Sequence, residues 1–243
     1  MGQPPEIVKV REPGVRLYDD RPASNLAPQQ WEYAVMAVNS YRDHWHNAAM
    51  LSAASKLTAH PLAAIQLTQL PTDCLADEKS PLPLPGWYRW ADFPEKDPAL
   101  EKDANKQQLF FEVWQKSDPG EVVAIVFRGT VPSKWRSWVA DFRWFIPFHD
   151  DQYTLAAGKL AGKFADELAV RAKAGLLAKD YQVVTVGHSL GGGLAQQLAY
   201  SLPKRDAIPR ISSVYAFDPS PVTGYFSVDS EVRDANKQGS NIR

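Results

Sequence analysis

The run VVTVGHSLGGGLAQQLA, residues 183–199, places a serine where it could act as a nucleophile. Gly187-His188-Ser189-Leu190-Gly191 has the form G-x-S-x-G, with an apolar run before it that predicts a strand and LAQQLAYSL behind it that predicts a helix to about Pro203. On such a strand-to-helix turn the serine backbone is strained by about 1 to 3 kcal/mol, and β-carbons at the flanking positions would strike neighbouring backbone. Gly187 and Gly191 relieve that crowding. The turn lifts the Ser189 hydroxyl above a sheet edge, and the helix that begins there aims N–H groups and its positive dipole end at developing negative charge. The chemistry this suits is attack on a carbonyl, with the Leu190 N–H as one oxyanion donor. The plainer reading is a turn of small residues that packs a helix tightly on a strand; a strand before and a helix after speak against it. His188 is adjacent to the serine but diverges from it on the turn, and is read as supportive, not catalytic.

The elements that must position this turn can be read from periodicity. LFFEVWQK at 109–116 and VVAIVF at 122–127 predict two strands joined by a turn through Pro119-Gly120. YQVVTV at 181–186 and ISSVYAF at 211–217 predict two more. Trp31, Ala34, Val35, Val38, Tyr41, Trp45 and Ala48 recur at helical spacing from Trp31 to about Thr58, and Leu155, Leu160, Phe164, Leu168 and Val170 do so over 153–173. Residues 1–30 read as an extended arm, and residues 59–105, rich in proline, as loop and short turns. Strands alternating with helices predict an α/β fold, a mostly parallel central sheet with helices on both faces, in one domain over 31–243.

Composition excludes several classes. Apolar residues make up 44% and charged residues 23% of the 243-residue chain, as in ordinary globular proteins. A formal charge of -1 and no basic run interleaved with aromatics exclude nucleic acid as a partner. The single cysteine, Cys74, cannot form an internal disulfide. The N-terminal MGQPPEIVKVREPG is no signal peptide, the myristoylation pattern is absent, and no stretch has the roughly 20 apolar residues of a spanning helix. The expectation is a soluble chain, cytoplasmic or exported without a leader. His44 and His46 stand two apart on a predicted helix and face different directions, so no metal site is expected, and no cofactor.

The strings GHSLGGGLA and, upstream, AIVFRGT at 124–130 together resemble the paired signatures of class 3 lipases within the α/β-hydrolases. The resemblance covers roughly residues 107–225. It implies that Thr130 is an oxyanion residue, with Gly129 letting the backbone approach the scissile carbonyl; an ordinary strand-end turn is the plainer alternative. It also likens Trp138 and Asp141 to the family's tryptophan-rich stretch and His149 to its H-x-G-F position, although Asp150 and Asp151 replace the small residue and glycine there. Trp135, Trp138, Phe142, Trp144, Phe145 and Phe148 would be a cleft wall or lid for acyl chains, or core, with about half of them expected in the core.

In α/β-hydrolases the acid and then the histidine follow the serine. None of the five histidines, His44, His46, His60, His149 and His188, does so here. The expectation is a domain incomplete at its C-terminus, with the catalytic histidine beyond Arg243; His149 as base would require an order foreign to the fold. Asp218, in AFDPSPVTG at 216–224, resembles the acid of pancreatic-type lipases, whereas in the class 3 pattern the acid lies one strand later and Asp218 would cap a turn. Both roles stay open.

Two functions are consistent with these residues. One is a serine hydrolase, a lipase, phospholipase or esterase, that cleaves carboxylic esters of acyl lipids through Ser189, with Thr130 and Leu190 as oxyanion donors and peripheral contact with a membrane; delivery as an antibacterial phospholipase effector is a narrower version. The other, motivated by the absent histidine, is a catalytically incomplete fragment acting as a binding module that a partner chain completes or inhibits. Peptidase or acyltransferase activity would rest on fold analogy alone.

Overall fold

The computed structural model describes residues 23–41, 65–66, 84–90, 92–116, 121–129, 152–206, 208–220 and 228–239. In chain order the elements are helix α1 (Ala23–Asn39), strands β1 (Ile65–Gln66) and β2 (Trp87–Arg89), and helix α2 (Pro98–Gln107). Strands β3 (Phe111–Lys116) and β4 (Val122–Phe127) come next, then the short helix α3 (Gln152–Leu155), which passes through a π-helical stretch (Ala156–Leu160) into α4 (Ala161–Lys173). Strand β5 (Gln182–His188), helix α5 (Leu190–Ser201), strand β6 (Ile211–Phe217) and helix α6 (Ser230–Gly239) complete the series.

The strands form one sheet in the order β1-β2-β3-β4-β5-β6, of which β1 is a two-residue edge. The expectation of a mostly parallel sheet is corrected here: β1 to β4 are antiparallel neighbours, and only the pairings β4–β5 and β5–β6 are parallel. Connection length explains the difference. Residues 117–121 between β3 and β4 are too few for a crossover, so that pair closes as a hairpin, whereas β4–β5 and β5–β6 are each joined through helices. The architecture is α/β with a mixed sheet.

Both faces of the central strands are buried, as their continuous Val/Ile runs require. Val123, Ile125 and Phe127 share one core with Val183, Ile211 and Val214, covered by Leu100 of α2, Phe164 and Leu168 of α4, and Leu194 and Leu198 of α5. Ala124 and Val126 face the other way, with Val184 and Val186, into a smaller core closed by Met36 and Ala37 of α1 and by Trp87 and Trp114. Helix α1 is therefore the cover of the second face. Arg171 of α4 is buried in the first layer, stacked over the Trp90 ring at 3.7 Å and paired with Asp92 and, at 2.6 Å, with Glu167. A buried guanidinium needs such partners.

Several boundaries differ from the sequence reading. Helix α1 begins at Ala23, inside the segment read as an extended arm, and carries Pro28 within it. It stops at Asn39, and residues 42–58 of the longer expected helix lie outside the described ones. Helix α2 overturns the reading of 59–105 as loop and short turns: Pro98 starts it, the Asp97 side chain accepts the Leu100 N–H at 3.0 Å, and Gln108 ends it in the left-handed region at φ 55°. Among the described residues no helix is long and apolar enough to cross a membrane, and no group of three or more His, Cys, Asp or Glu could hold a metal.

Candidate active site

Two parallel registers bring the chemistry-bearing residues to one edge. Phe127 of β4 pairs with Gly187 of β5, and His188 of β5 pairs with Phe217 of β6, so all three strands end side by side. Strand β4 runs on into Arg128-Gly129, β5 into Ser189, and β6 into Asp218-Pro219-Ser220. Ligand and catalytic groups collect at such carboxyl ends in α/β sheets.

Ser189 stands between β5 and α5 with φ 55° and ψ -123°, a conformation that side-chain-bearing residues rarely adopt. Backbone bonds hold it there. Its N–H donates to the Phe217 carbonyl at 2.9 Å, and its own carbonyl accepts from Gly192 at 3.0 Å, Gly193 at 3.3 Å and Ser220 at 3.0 Å. Its side chain makes no capping bond to α5, so the hydroxyl is not spent on the helix start. Leu190 is the first residue of that helix, and a first-turn N–H has no acceptor within its own helix.

The flanking glycines lie against backbone. A Cβ on Gly187 would meet the Gly191 carbonyl, and one on Gly191 would meet the Phe127 carbonyl, so strand, elbow and helix touch through bare backbone. A Cβ on Gly129 would come within 2.5 Å of the His188 carbonyl oxygen and 3.4 Å of the Ser189 Cβ, which puts the end of β4 against the serine. Thr130, the next residue, lies outside the described residues, as do His149 and the aromatic stretch from Trp135 to Phe148 with Trp138 and Asp141.

Asp218 is exposed and left-handed at φ 44°. The loop it opens is fastened to the elbow: besides the Ser220–Ser189 backbone bond, the Tyr153 hydroxyl and Ser220 Oγ lie 3.1 Å apart, and a Cβ on Gly192 would press on the Pro219 Cβ at 2.9 Å. Strand register brings Asp218 beside Ser189 without showing which role it has. His188 is the one histidine among the described residues, and its exposed ring turns to Tyr41, whose hydroxyl lies 3.0 Å from Nδ1.

Tyr41 is the neighbour that motif reading missed; it entered only as an apolar position of the first helix. Standing just past α1, it touches both sides of the elbow, with its hydroxyl 3.4 Å from the His188 carbonyl oxygen and against the Gly129 Cα face. Burial pushes its phenol above the ordinary tyrosine range, against the pull of the Gly129 amide and the Arg128 charge, so it stays a neutral hydroxyl. Arg128 lies over the Phe110 ring at 3.5 Å. The nearby Glu112 carboxyl is raised by burial, opposed by Arg89, the Trp114 indole and Arg128.

Residues 124–237 match the family model described as lipase (class 3), a span that takes in Gly129, Ser189 and Asp218 and leaves out Tyr41. Neither a curated protein nor a solved structure matches the chain. From the second half of β4 to α6, the chain is a class 3 lipase domain, a branch of the α/β-hydrolases.

Proposed function

We propose that this protein is a serine hydrolase of lipid carboxylic esters with Ser189 as its nucleophile. The observation that carries the reading is the Ser189 backbone itself, held at φ 55° and ψ -123° where strand, helix and two glycines meet. Strain of this kind persists only where surrounding structure enforces it, and it accumulates at active sites. The family adds the substrate class, since class 3 lipases act on lipid esters.

In this reading Ser189 Oγ attacks the acyl carbonyl and its proton passes to an imidazole outside the described residues. The alkoxide is held by the Leu190 N–H and by the Thr130 N–H that comes after Gly129, and a proton returned by the imidazole lets the alcohol leave. Water then attacks the acyl-enzyme and restores the serine. Asp218 is the carboxylate assigned to orient the imidazole, on the strength of its place one strand over from the nucleophile.

A fluorophosphonate probe tests the assignment. Labelling of the Ser189 peptide, lost in Ser189→Ala, is expected; an unlabelled protein would overturn the hydrolase reading in favour of the partner-binding one. Hydrolysis of phospholipid, triacylglycerol and short-chain ester by the same preparation then sorts the substrate. Asp218→Asn is expected to depress turnover with the fold intact, and undiminished turnover would assign Asp218 to the turn alone.

A further inference from the structure

Three features of the molecule lie outside the chemistry above. The buried Arg171–Asp92–Glu167 group packs against Trp90 inside the first core layer, away from the strand ends. The exposed Trp31 and Val38 on α1 have nothing beside them that says what covers them. Tyr41 differs, because independent contacts join it to the two backbone segments that must be aligned for attack.

The first is on the β4 side. Gly129 has room for a hydrogen and nothing more, because the Tyr41 hydroxyl and the His188 carbonyl oxygen occupy the space where a Cβ would stand. Burial raises the Tyr41 phenol, and the Gly129 amide pulls against that rise. The second is on the β5 side, where His188 Nδ1 lies 3.0 Å and the His188 carbonyl oxygen 3.4 Å from the same hydroxyl. Both polar partners of the phenol on this side, Nδ1 and the carbonyl oxygen, belong to the residue before the nucleophile.

We propose that Tyr41 is a positioning residue that ties the Gly129 end of β4 to His188 and so sets the gap between that strand end and the Ser189 hydroxyl. The two sides of that gap come from strands that share ladder bonds only as far as Phe127 and Gly187. Beyond the ladder, the tie is carried by a residue just past the helix that covers the opposite sheet face, outside the 124–237 segment. An attack geometry loosened by a fraction of an ångström loses rate without losing the fold. The inference rests on the serine hydrolase reading, and it adds that α1 belongs to the working site.

Tyr41→Phe keeps the ring and removes the oxygen; His188→Leu removes the shorter, Nδ1 end of the tie from an exposed position and leaves only the 3.4 Å contact with the backbone carbonyl. Each is expected to lower the second-order rate constant for fluorophosphonate labelling of Ser189 on the order of tenfold, the worth of one directed hydrogen bond. The double variant should fall no further than the lower single, since both changes break one tie. Amide hydrogen exchange gives a readout that needs no reactivity: the Gly129 amide should be protected in the native protein and should lose protection in Tyr41→Phe while the β4–β5 ladder amides keep theirs.

Wild-type labelling with Tyr41→Phe equally fast, fully multiplicative losses in the double variant, or Gly129 protection that survives Tyr41→Phe would each overturn the tie. An unlabelled wild type with a Gly129 amide protected only when Tyr41 is present would instead overturn the hydrolase reading and leave the contact standing. Should Tyr41→Phe fail to fold, His188→Leu alone carries the rate test.

Discussion

Ser189→Gly is expected to abolish ester hydrolysis and at the same time raise the thermal midpoint. In the proposed function the hydroxyl is the attacking group, so its loss should lower turnover by about 10⁶, the effect of deleting a serine nucleophile where base and oxyanion donors remain. The stability change comes from a different property of the same residue. At φ 55° and ψ -123° a side chain is strained by about 1 to 3 kcal/mol, and glycine is not. Glycine also gives the unfolded chain more freedom, which takes back roughly 0.5 to 1 kcal/mol. The balance is a gain of about 1 kcal/mol, read as a rise of roughly 2 to 4 °C for a chain of this length.

Ser189→Ala separates the two effects. It removes the hydroxyl but keeps the Cβ, so it should lose the same turnover without gaining the stability. Calorimetry and fluorophosphonate labelling on the three proteins decide the matter. If the glycine variant melts no higher than the alanine variant, the backbone at position 189 is not strained, and the elbow geometry loses its support. If it melts higher yet still hydrolyses ester, the nucleophile is elsewhere.

Most of the elbow was legible because contacts between backbones dictate its residue types. Glycine stands at 187 and 191 because each would otherwise drive a Cβ into a carbonyl group, so a local string encodes a tertiary contact. The β3–β4 hairpin was legible for a similar reason, since its connecting residues declare a turn. The sense of the sheet was not, because a strand's apolar pattern is the same in either direction and only the lengths of the connections discriminate. Helix α2 was hidden by reading Pro98 as a breaker when, behind Asp97, it is a start. Helix α6 was missed because SEVRDANKQG has so little apolar content. It is held by a few particular groups: Asp229 Oδ1 accepts the N–H groups of Glu231 and Val232, and Asn236 Nδ2 donates to the Tyr200 and Leu202 carbonyls at the end of α5. The contact of Tyr41 with His188 spans 147 residues and obeys no pattern, so nothing short of coordinates could show it.

Gly191→Ala should damage the fold more than the small volume of a methyl group implies. The added carbon would lie 2.9 Å from the Phe127 carbonyl carbon and 3.0 Å from that of Arg128, with the Phe127 oxygen nearer still. None of these atoms is at the end of a side chain that can rotate away. Phe127 is fixed by its pairing with Gly187 across the β4–β5 ladder, so α5 must lift from the sheet instead. Lifting it unseats Leu194 and Leu198, both fully packed in the larger core. Overpacking a rigid site costs about 1 to 3 kcal/mol, and backbone on every side puts this one at the upper end, about 3 kcal/mol. That corresponds to a midpoint lower by roughly 6 to 12 °C. Gly162→Ala in α4 is the control: a Cβ there meets nothing within 4 Å, so helix propensity should raise stability by roughly 0.5 to 1 kcal/mol. Urea unfolding of the two variants should therefore move in opposite directions. The labelling rate of folded Gly191→Ala should fall as well, because the helix that moves is the one whose first N–H is the proposed oxyanion donor. Were Gly191→Ala as stable and as reactive as the parent, α5 would not approach β4 as closely as the elbow requires.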